Sequence, residues 1–187
     1  MPGIDETKRF VPLKIAVLTI SDTRSLKDDK SGAVLTQRIV AAGHFVVERS
    51  VVTDEIEAIR ARVKAWIEDP VIDVVITTGG TGFTGRDVTP EAVEPLFEKK
   101  IDAFSALFLV ISFSKIGTSA IQSRATAGVA NSTYIFCLPG SPGACKDAWD
   151  EILVHQLDYR FGPCNFVEIM PRLDEHLRRE KAQGSTV

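Results

Sequence analysis

Residues 14–20 (KIAVLTI) are almost all apolar and stop at the polar pair Ser21-Asp22, the pattern of a strand covered on both faces. A polar loop, TRSLKDDKSG, follows. Ser31 then stands as N-cap of an amphipathic helix running through Ala42, which Gly43 ends at the C′ position. Residues 44–52 read as the next strand. The stretch from Asp54 through Trp66 is helical, with Ile56, Ile59, Val63 and Ile67 at helical spacing. An apolar, β-branched strand over 71–77 leads into a glycine-rich loop and a helix over 90–97. The ten residues 104–113 (FSALFLVISF) are ambiguous by periodicity, and their length and Ser/Gly flanks predict a short buried helix. Strands near 125–129 and 133–138 come next. Pro139-Gly140-Ser141-Pro142 then opens a long helix to about Tyr159, with Ser141 as N-cap and Pro142 at its favoured N1 position. Gly162-Pro163 ends that helix, and the charged tail from Pro171 reads as a surface helix that frays.

Strand and helix alternate through the first hundred residues, which predicts a parallel sheet with helices on both faces. The expected architecture is α/β: a single three-layer α/β/α domain with a mostly parallel sheet over 12–165. A polar arm (1–11) precedes it and a partly helical tail (166–187) follows. No internal repeat or long linker divides the chain.

At 187 residues and 44% apolar content, the chain can bury the core of one such domain. A formal charge of −3 argues against a nucleic-acid partner. The N-terminal residues carry no apolar leader, and the longest apolar runs fall well short of the ~20 residues of a membrane span. A cytoplasmic protein with no membrane partner is expected. Cys137, Cys145 and Cys164 show no C-x-x-C spacing and no ligand spacing with His44, His155 or His176, so buried thiols are expected rather than disulfides or zinc.

The most informative chemistry lies in the loop TTGGTGFTGRDVTPE. Gly79, Gly80, Gly82 and Gly85 let main-chain N–H groups approach an anion, and Thr89-Pro90 opens a helix whose N-terminus adds partial positive charge. Asp87 in the same loop would repel a phosphate unless it holds a metal ion placed on that phosphate. The loop therefore suits phosphoryl groups, although Gly-Gly-Thr-Gly also serves as a plain strand-to-helix turn. Two further loops follow strands, 21–32 and 139–142, and such loops converge beyond the carboxyl ends of a parallel sheet. Asp54 lies where it could join them, yet Asp54 with Glu57 also spells a capping box. Ser141 carries the same ambiguity. Asp28 and Asp29 can equally be solvated charges, and Trp66 and Trp149 packing residues. Gly80–Gly85 formally matches G-x-G-x-x-G, the mark of a nicotinamide-dependent oxidoreductase. Here, however, Arg86-Asp87-Val88 intervenes before the helix, and the loop does not belong to the first strand. No Walker-type loop or G-x-S-x-G elbow is present.

Several separated motifs agree in order with one family. Thr19-Ile20-Ser21-Asp22, Asp29 with Ser31-Gly32, Thr78-Gly79-Gly80-Thr81-Gly82, Asp87-Val88-Thr89-Pro90-Glu91, Ser123-Arg124-Ala125 with Gly128-Val129, and Leu138-Pro139-Gly140-Ser141-Pro142 together resemble the molybdopterin-binding (MoaB/MogA-type) family over about 12–165. Gly117-Thr118-Ser119, Gln122-Ser123-Arg124 and Pro163-Cys164-Asn165-Phe166 look most like its B branch. The resemblance implies a homo-oligomer, trimeric or hexameric, that binds molybdopterin and works beside other molybdenum cofactor biosynthesis proteins. It also implies an adenylyltransferase: molybdopterin's terminal phosphate attacks the α-phosphate of ATP with Mg²⁺, releasing pyrophosphate. The family's two aspartates map onto Asp54 and Asp87, as catalytic and metal-holding residues. Substrate contacts would come from Ser21, Asp22, Asp29, Ser31, Gly32, Gly79, Gly80, Thr81, Gly82, Ser123, Arg124, Pro139, Gly140, Ser141 and Pro142. One departure stands out: the family's Gly-Phe-Gly-Glu and following Arg correspond to Ala103–Leu109, so Ala106 and Leu109 replace the Glu and the Arg. A non-catalytic molybdopterin carrier or assembly protein is the alternative.

Overall fold

The computed structural model describes residues 2–175. Its elements run β1 (Gly3–Ile4), β2 (Lys14–Ile20), α1 (Lys30–Ala41), β3 (Phe45–Val52), α2 (Ile56–Glu68), β4 (Val74–Thr78), α3 (Thr89–Val93), β5 (Lys99–Lys100) and α4 (Asp102–Ile116). They continue with β6 (Thr126–Ala130), β7 (Thr133–Leu138), α5 (Pro142–Ala148), α6 (Val154–Gln156), β8 (Phe161–Gly162) and α7 (Phe166–Ile169). Six strands make one sheet in the order β3-β2-β4-β7-β6-β5. Neighbours among β3, β2, β4 and β7 are parallel, while β6 and β5 close the far edge antiparallel.

Period-two alternation divides the sheet's side chains between two cores. Ile15 and Val17 of β2, Val74 and Ile76 of β4, and Tyr134 and Phe136 of β7 face α1, α4 and α5. Ala16 and Leu18, Val75, and Ile135 and Cys137 face α2 and α3. The result is the expected three layers. Chain order departs from spatial order at β2, which has β3 on one side and β4 on the other. Such a switch point opens a crevice above the carboxyl ends of the strands.

Several boundaries differ from the sequence reading, each for a local reason. Asp29, not Ser31, caps α1, accepting from Gly32 N at 2.9 Å. Gly43 does end that helix, at φ +89°. Strand β4 starts at Val74 instead of residue 71, because Asp69 ties Val71 N and Ile72 N into a turn. Neither Asp54 nor Glu57 forms a capping box: α2 starts after Glu55 with no side-chain cap. Asp54 N instead donates to Asp22 Oδ1 at 3.0 Å. The helix from Pro142 widens into a π-turn over Trp149–Leu153 and stops at Gln156, short of Tyr159. Beyond it, Asp158 captures Arg160, and β8 pairs with β1 of the N-terminal arm. The frayed helix expected after Pro171 lies largely outside the described residues.

The 104–113 segment needs the largest correction. It belongs to a 15-residue helix, α4, of which only Phe104, Phe108 and Ser112 are buried. These sit at i, i+4 and i+8, a single stripe, while Leu107, Leu109, Val110, Phe113 and Ile116 face outward. With the 3-10 turn that continues it, residues Asp102–Gln122 form a 21-residue stretch whose most apolar 18 residues have a mean hydropathy of 1.6. By length and composition that is enough to cross a membrane, against the expectation that no run approaches it. In this fold the stretch is a wall of the domain, its Phe104 and Phe108 set in the core beside Phe136.

Candidate active site

All four parallel strands end at the same edge, with Ile20 opposite Val52, Thr19 opposite Thr78, and Thr78 opposite Leu138. The loops leaving these ends enclose a cleft of about 420 Å³. Its walls include Ser21, Asp54, Gly79, Gly80, Thr81, Gly82, Asp87, Ser123, Pro139, Gly140 and Ser141. Most of the residues singled out in the sequence therefore meet, although they lie up to 120 positions apart.

The glycine loop is folded by its neighbours. Gly79 adopts φ +110°, and a Cβ there would lie 2.2 Å from the Ile20 carbonyl oxygen. No side chain fits, so the loop can press against the end of β2 only as glycine. Thr89 Oγ1 donates to the Gly79 carbonyl at 2.8 Å and Thr89 N to the Gly80 carbonyl at 2.9 Å. Thr78 Oγ1 donates to the Pro139 carbonyl at 2.8 Å, joining the glycine loop to the 139–142 turn. Ser141 is the N-cap expected of it, accepting from Ala144 N at 3.1 Å, with Pro142 at the head of α5 behind the cleft.

The two aspartates stand in different electrostatic settings. The Asp87 carboxyl is partly desolvated, which opposes ionisation, but donors from the Thr84 hydroxyl, Thr84 N and Gly82 N outweigh this and hold it below the ordinary carboxylate value. Both Thr84 bonds fall on Oδ2. Asp54 goes the other way. Burial raises its pKa first, and the negative charges of Asp22 and Asp87 push in the same direction. No side chain pairs with the Asp54 carboxylate among the described residues; its Oδ1 lies where it would stand 3.3 Å from a Cβ on Gly80. A destabilised carboxylate beside a stabilised one, under an anion-seeking loop, suits a cation. Among the described residues no three His, Cys, Asp or Glu side chains form a ready cage. Magnesium needs none, because it keeps waters and takes one or two carboxylates plus substrate phosphates.

Other expected contacts are hydrogen-bonded within the protein. Asp29 is buried, accepting from Thr19 Oγ1 at 2.6 Å, Gly32 N at 2.9 Å and Arg49 Nη2 at 2.9 Å. A Cβ on Gly32 would collide with it, at 2.2 Å from Oδ2. Ser31 is also buried, its hydroxyl donating to the Gly140 carbonyl at 2.9 Å. Asp22 forms a bidentate pair with Arg86 (both 2.9 Å), which lowers its pKa, and Arg86 reaches on to Glu55 at 2.7 Å. Arg124 turns its guanidinium to the Gly82 carbonyl (2.8 Å), the Asp87 carbonyl (2.7 Å) and Glu91, bracing the loop from behind. It and Ser123 border a larger hollow of about 720 Å³, where Ala106 and Leu109 also lie. The Ser123 hydroxyl, between the two spaces, is buried and has no hydrogen-bond partner among the described residues.

Four cleft residues are not assigned as contacts from the sequence: Ile20 and Gln122, which appear there only within motifs, and Thr23 and Arg24. Thr23 and Arg24 sit in a polar loop where they look like solvated residues. Their only signal is position, two and three residues after Ser21 at the end of a central strand.

Residues 16–159 match the family model described as "Probable molybdopterin binding domain". The chain is 50% identical over 157 residues to molybdenum cofactor biosynthesis protein B of Escherichia coli (strain K12), covering 84% of this chain and 92% of that relative. A crystal structure of molybdenum cofactor biosynthesis protein B superposes with a TM-score of 0.78 at 40% identity, covering 80% of this chain and 94% of that one. The molybdopterin biosynthesis enzyme MoaB from Thermus thermophilus does so with a TM-score of 0.68 at 27% identity, covering 75% and 89%. A cleft assembled at the switch point, a family match over most of the fold, and half-identity to a protein B lead to one assignment: this chain belongs to the molybdopterin-binding family of molybdenum cofactor biosynthesis proteins, in its protein B branch.

Proposed function

We propose that the cleft binds molybdopterin and MgATP and transfers AMP to the terminal phosphate of the pterin. The observation that carries this reading is the placement of Asp54 and Asp87 on the same cleft as the glycine loop, with the pKa of one raised and of the other lowered. A phosphate oxygen of molybdopterin forms a bond to the α-phosphorus of ATP, the α–β bridging bond breaks, and pyrophosphate leaves. Such a displacement asks for positioning and charge neutralisation rather than a covalent intermediate. Main-chain N–H groups of Gly80 and Thr81 would receive phosphate oxygens, while Gly79 N and Gly82 N hold the loop in shape by donating to the Leu138 carbonyl and the Asp87 carboxylate. Asp54 and Asp87 would hold Mg²⁺, which supplies positive charge against the reacting phosphates. No protein base is required, because a phosphate monoester is already anionic near neutral pH. The reaction belongs in the cytoplasm, away from membranes and nucleic acid, and hands its product to other cofactor-assembly proteins.

The carrier reading draws on Ala106 and Leu109, which stand where the family has Glu and Arg. Both line the larger hollow and neither lines the cleft, so the cleft's own lining is intact without them. That favours catalysis. Pyrophosphate release from MgATP, with and without molybdopterin, tests it. Molybdopterin-dependent release that falls by about a hundredfold or more in Asp87→Asn is the expected result, a loss typical of removing one charge-stabilising group. Molybdopterin binding with no pyrophosphate formed would leave a carrier.

A further inference from the structure

We propose that Arg24 supplies the guanidinium that grips a phosphate oxygen of the substrate in this cleft, with Ser31 and the Gly140 carbonyl holding it ready. The inference rests on the functional reading above and adds a contact that the glycine loop does not provide.

Among the described residues Arg24 is the only cation lining the cleft; the other charges on its walls are Asp54 and Asp87. A cleft with that balance repels phosphates unless the guanidinium faces them alongside a bound metal. The other arginines around the cleft are occupied. Arg49 is paired with buried Asp29, Arg86 with Asp22 and Glu55, and Arg124 with the Gly82 and Asp87 carbonyls and Glu91. Lys100 pairs with Glu94 beside the other hollow. Arg24 differs from all of these. Its Nη1 donates to Ser31 Oγ at 2.9 Å and to the Gly140 carbonyl at 3.2 Å, while Nε and Nη2 have no partner among the described residues. One corner of the fork is fixed and the remaining donors are left over, the state of a guanidinium preorganised for a bidentate anion.

The anchor is itself built in. Ser31 is fully buried, donates to the Gly140 carbonyl and accepts from Arg24, so one hydroxyl ties the 21–29 loop to the 139–141 turn. Arg24 N also donates to Ser21 Oγ at 3.2 Å, fixing its backbone. This accounts for a serine in the first turn of α1 that neither caps the helix nor touches the cleft. Arg24 would thereby take the part of a cationic phosphate partner in a chain with Leu109 where its family has Arg.

The phosphate is either that of the nucleotide or the terminal phosphate of molybdopterin, and binding measured for each separately distinguishes them. Calorimetric titration of MgATP and of molybdopterin into wild-type protein, Arg24→Gln, Arg24→Lys and Lys27→Gln provides the test. Lys27 is an exposed cation of the same loop outside the cleft, and its variant controls for net charge. Arg24→Gln is expected to weaken at least one of the two ligands by about tenfold or more, the usual effect of losing a charge-assisted hydrogen bond. Arg24→Lys should recover part of the loss, Lys27→Gln should bind as wild type, and Ser31→Ala should weaken the same ligand by a smaller factor. Arg24→Gln with wild-type affinity for both ligands overturns the inference and leaves the functional reading standing. Wild-type protein that binds neither ligand overturns the functional reading and this inference with it. Unchanged melting temperatures across the Arg24 variants separate lost binding from lost folding.

Discussion

Asp54 shows what the site costs the fold. Its carboxylate is penalised by burial and by the neighbouring charges of Asp22 and Asp87, so its pKa lies above the ordinary 3.8. An acid with a raised pKa in the folded state makes that state bind a proton more tightly than the unfolded chain does. The penalty is therefore present at neutral pH and is relieved as pH falls through the folded pKa. Asp54→Asn is expected to raise the melting temperature of the ligand-free protein at pH 7. The same change should abolish pyrophosphate release, the trade-off common where function holds a charge in an unfavourable place. In the ligand-free wild type, Asp54 should protonate ahead of Asp87 as pH falls, because its pKa is raised and that of Asp87 is lowered. A lower melting temperature in Asp54→Asn would mean that the carboxylate is structural. In the sequence, Asp54 reads as a cap or as a ligand, because both uses place an acid just ahead of a helix. Only the Asp22 bond to its backbone N–H, which pulls residue 54 out of the capping position, separates them. Arg24 is illegible in the sequence for a related reason: its meaning comes from Ser31 and Gly140, seven and 116 residues away.

Elements with long apolar runs can be read directly, because β2, β4, β6 and β7 are covered on both faces and carry no polar alternation to confuse them. Elements built by pairing alone cannot. β5 is two exposed lysines, held by Val129 and Gly128 of β6, and β1 exists only because β8 is opposite. Helix α4 misleads because apolar content does not equal burial, and this helix docks by one stripe. His44 joins elements in a similarly hidden way. Leu13 N, just before β2, donates to His44 Nδ1 at 3.0 Å, and the ring packs against Phe10 of the arm and the edge of Trp149 behind α5. Burial lowers its pKa from 6.5 to about 4, partly countered by Asp158. The folded protein thus keeps the ring neutral while the unfolded chain protonates it. The stabilisation is complete above about pH 6.5 and is lost progressively towards pH 4, amounting to up to about 3 kcal/mol. Denaturant midpoints at pH 7 and pH 5 check this. Wild type should lose stability between them, whereas His44→Gln should start lower and change much less; parallel losses would remove His44 as the source.

At the scale of the whole molecule, the apolar face of α4 has no cover among the described residues. Leu107, Leu109, Val110, Phe113 and Ile116 are exposed along it, and Ile121 in the turn beyond is 74% exposed. A run of exposed apolar side chains along one helix face marks a contact with another molecule. The face is also a wall of the larger hollow through Ala106 and Leu109, where its family has Glu and Arg. Those two replacements extend the apolar surface, and the charge removed from the hollow would no longer resist being covered. A second copy is the proposed cover, in keeping with the trimer or hexamer expected of the family. Light scattering should then give a solution mass that is a multiple of the 20.5 kDa chain. Placing carboxylates on the face, as in Val110→Glu with Phe113→Glu, should return the mass to a single chain. An ionised carboxylate has no partner in such an interface, and its desolvation costs several kcal/mol. Both side chains are outside the core in the isolated fold, so the monomer should retain its circular dichroism and its cleft. A wild-type protein that runs at the mass of one chain would leave the face to some other partner; a double variant that stays assembled would move the interface elsewhere on the molecule.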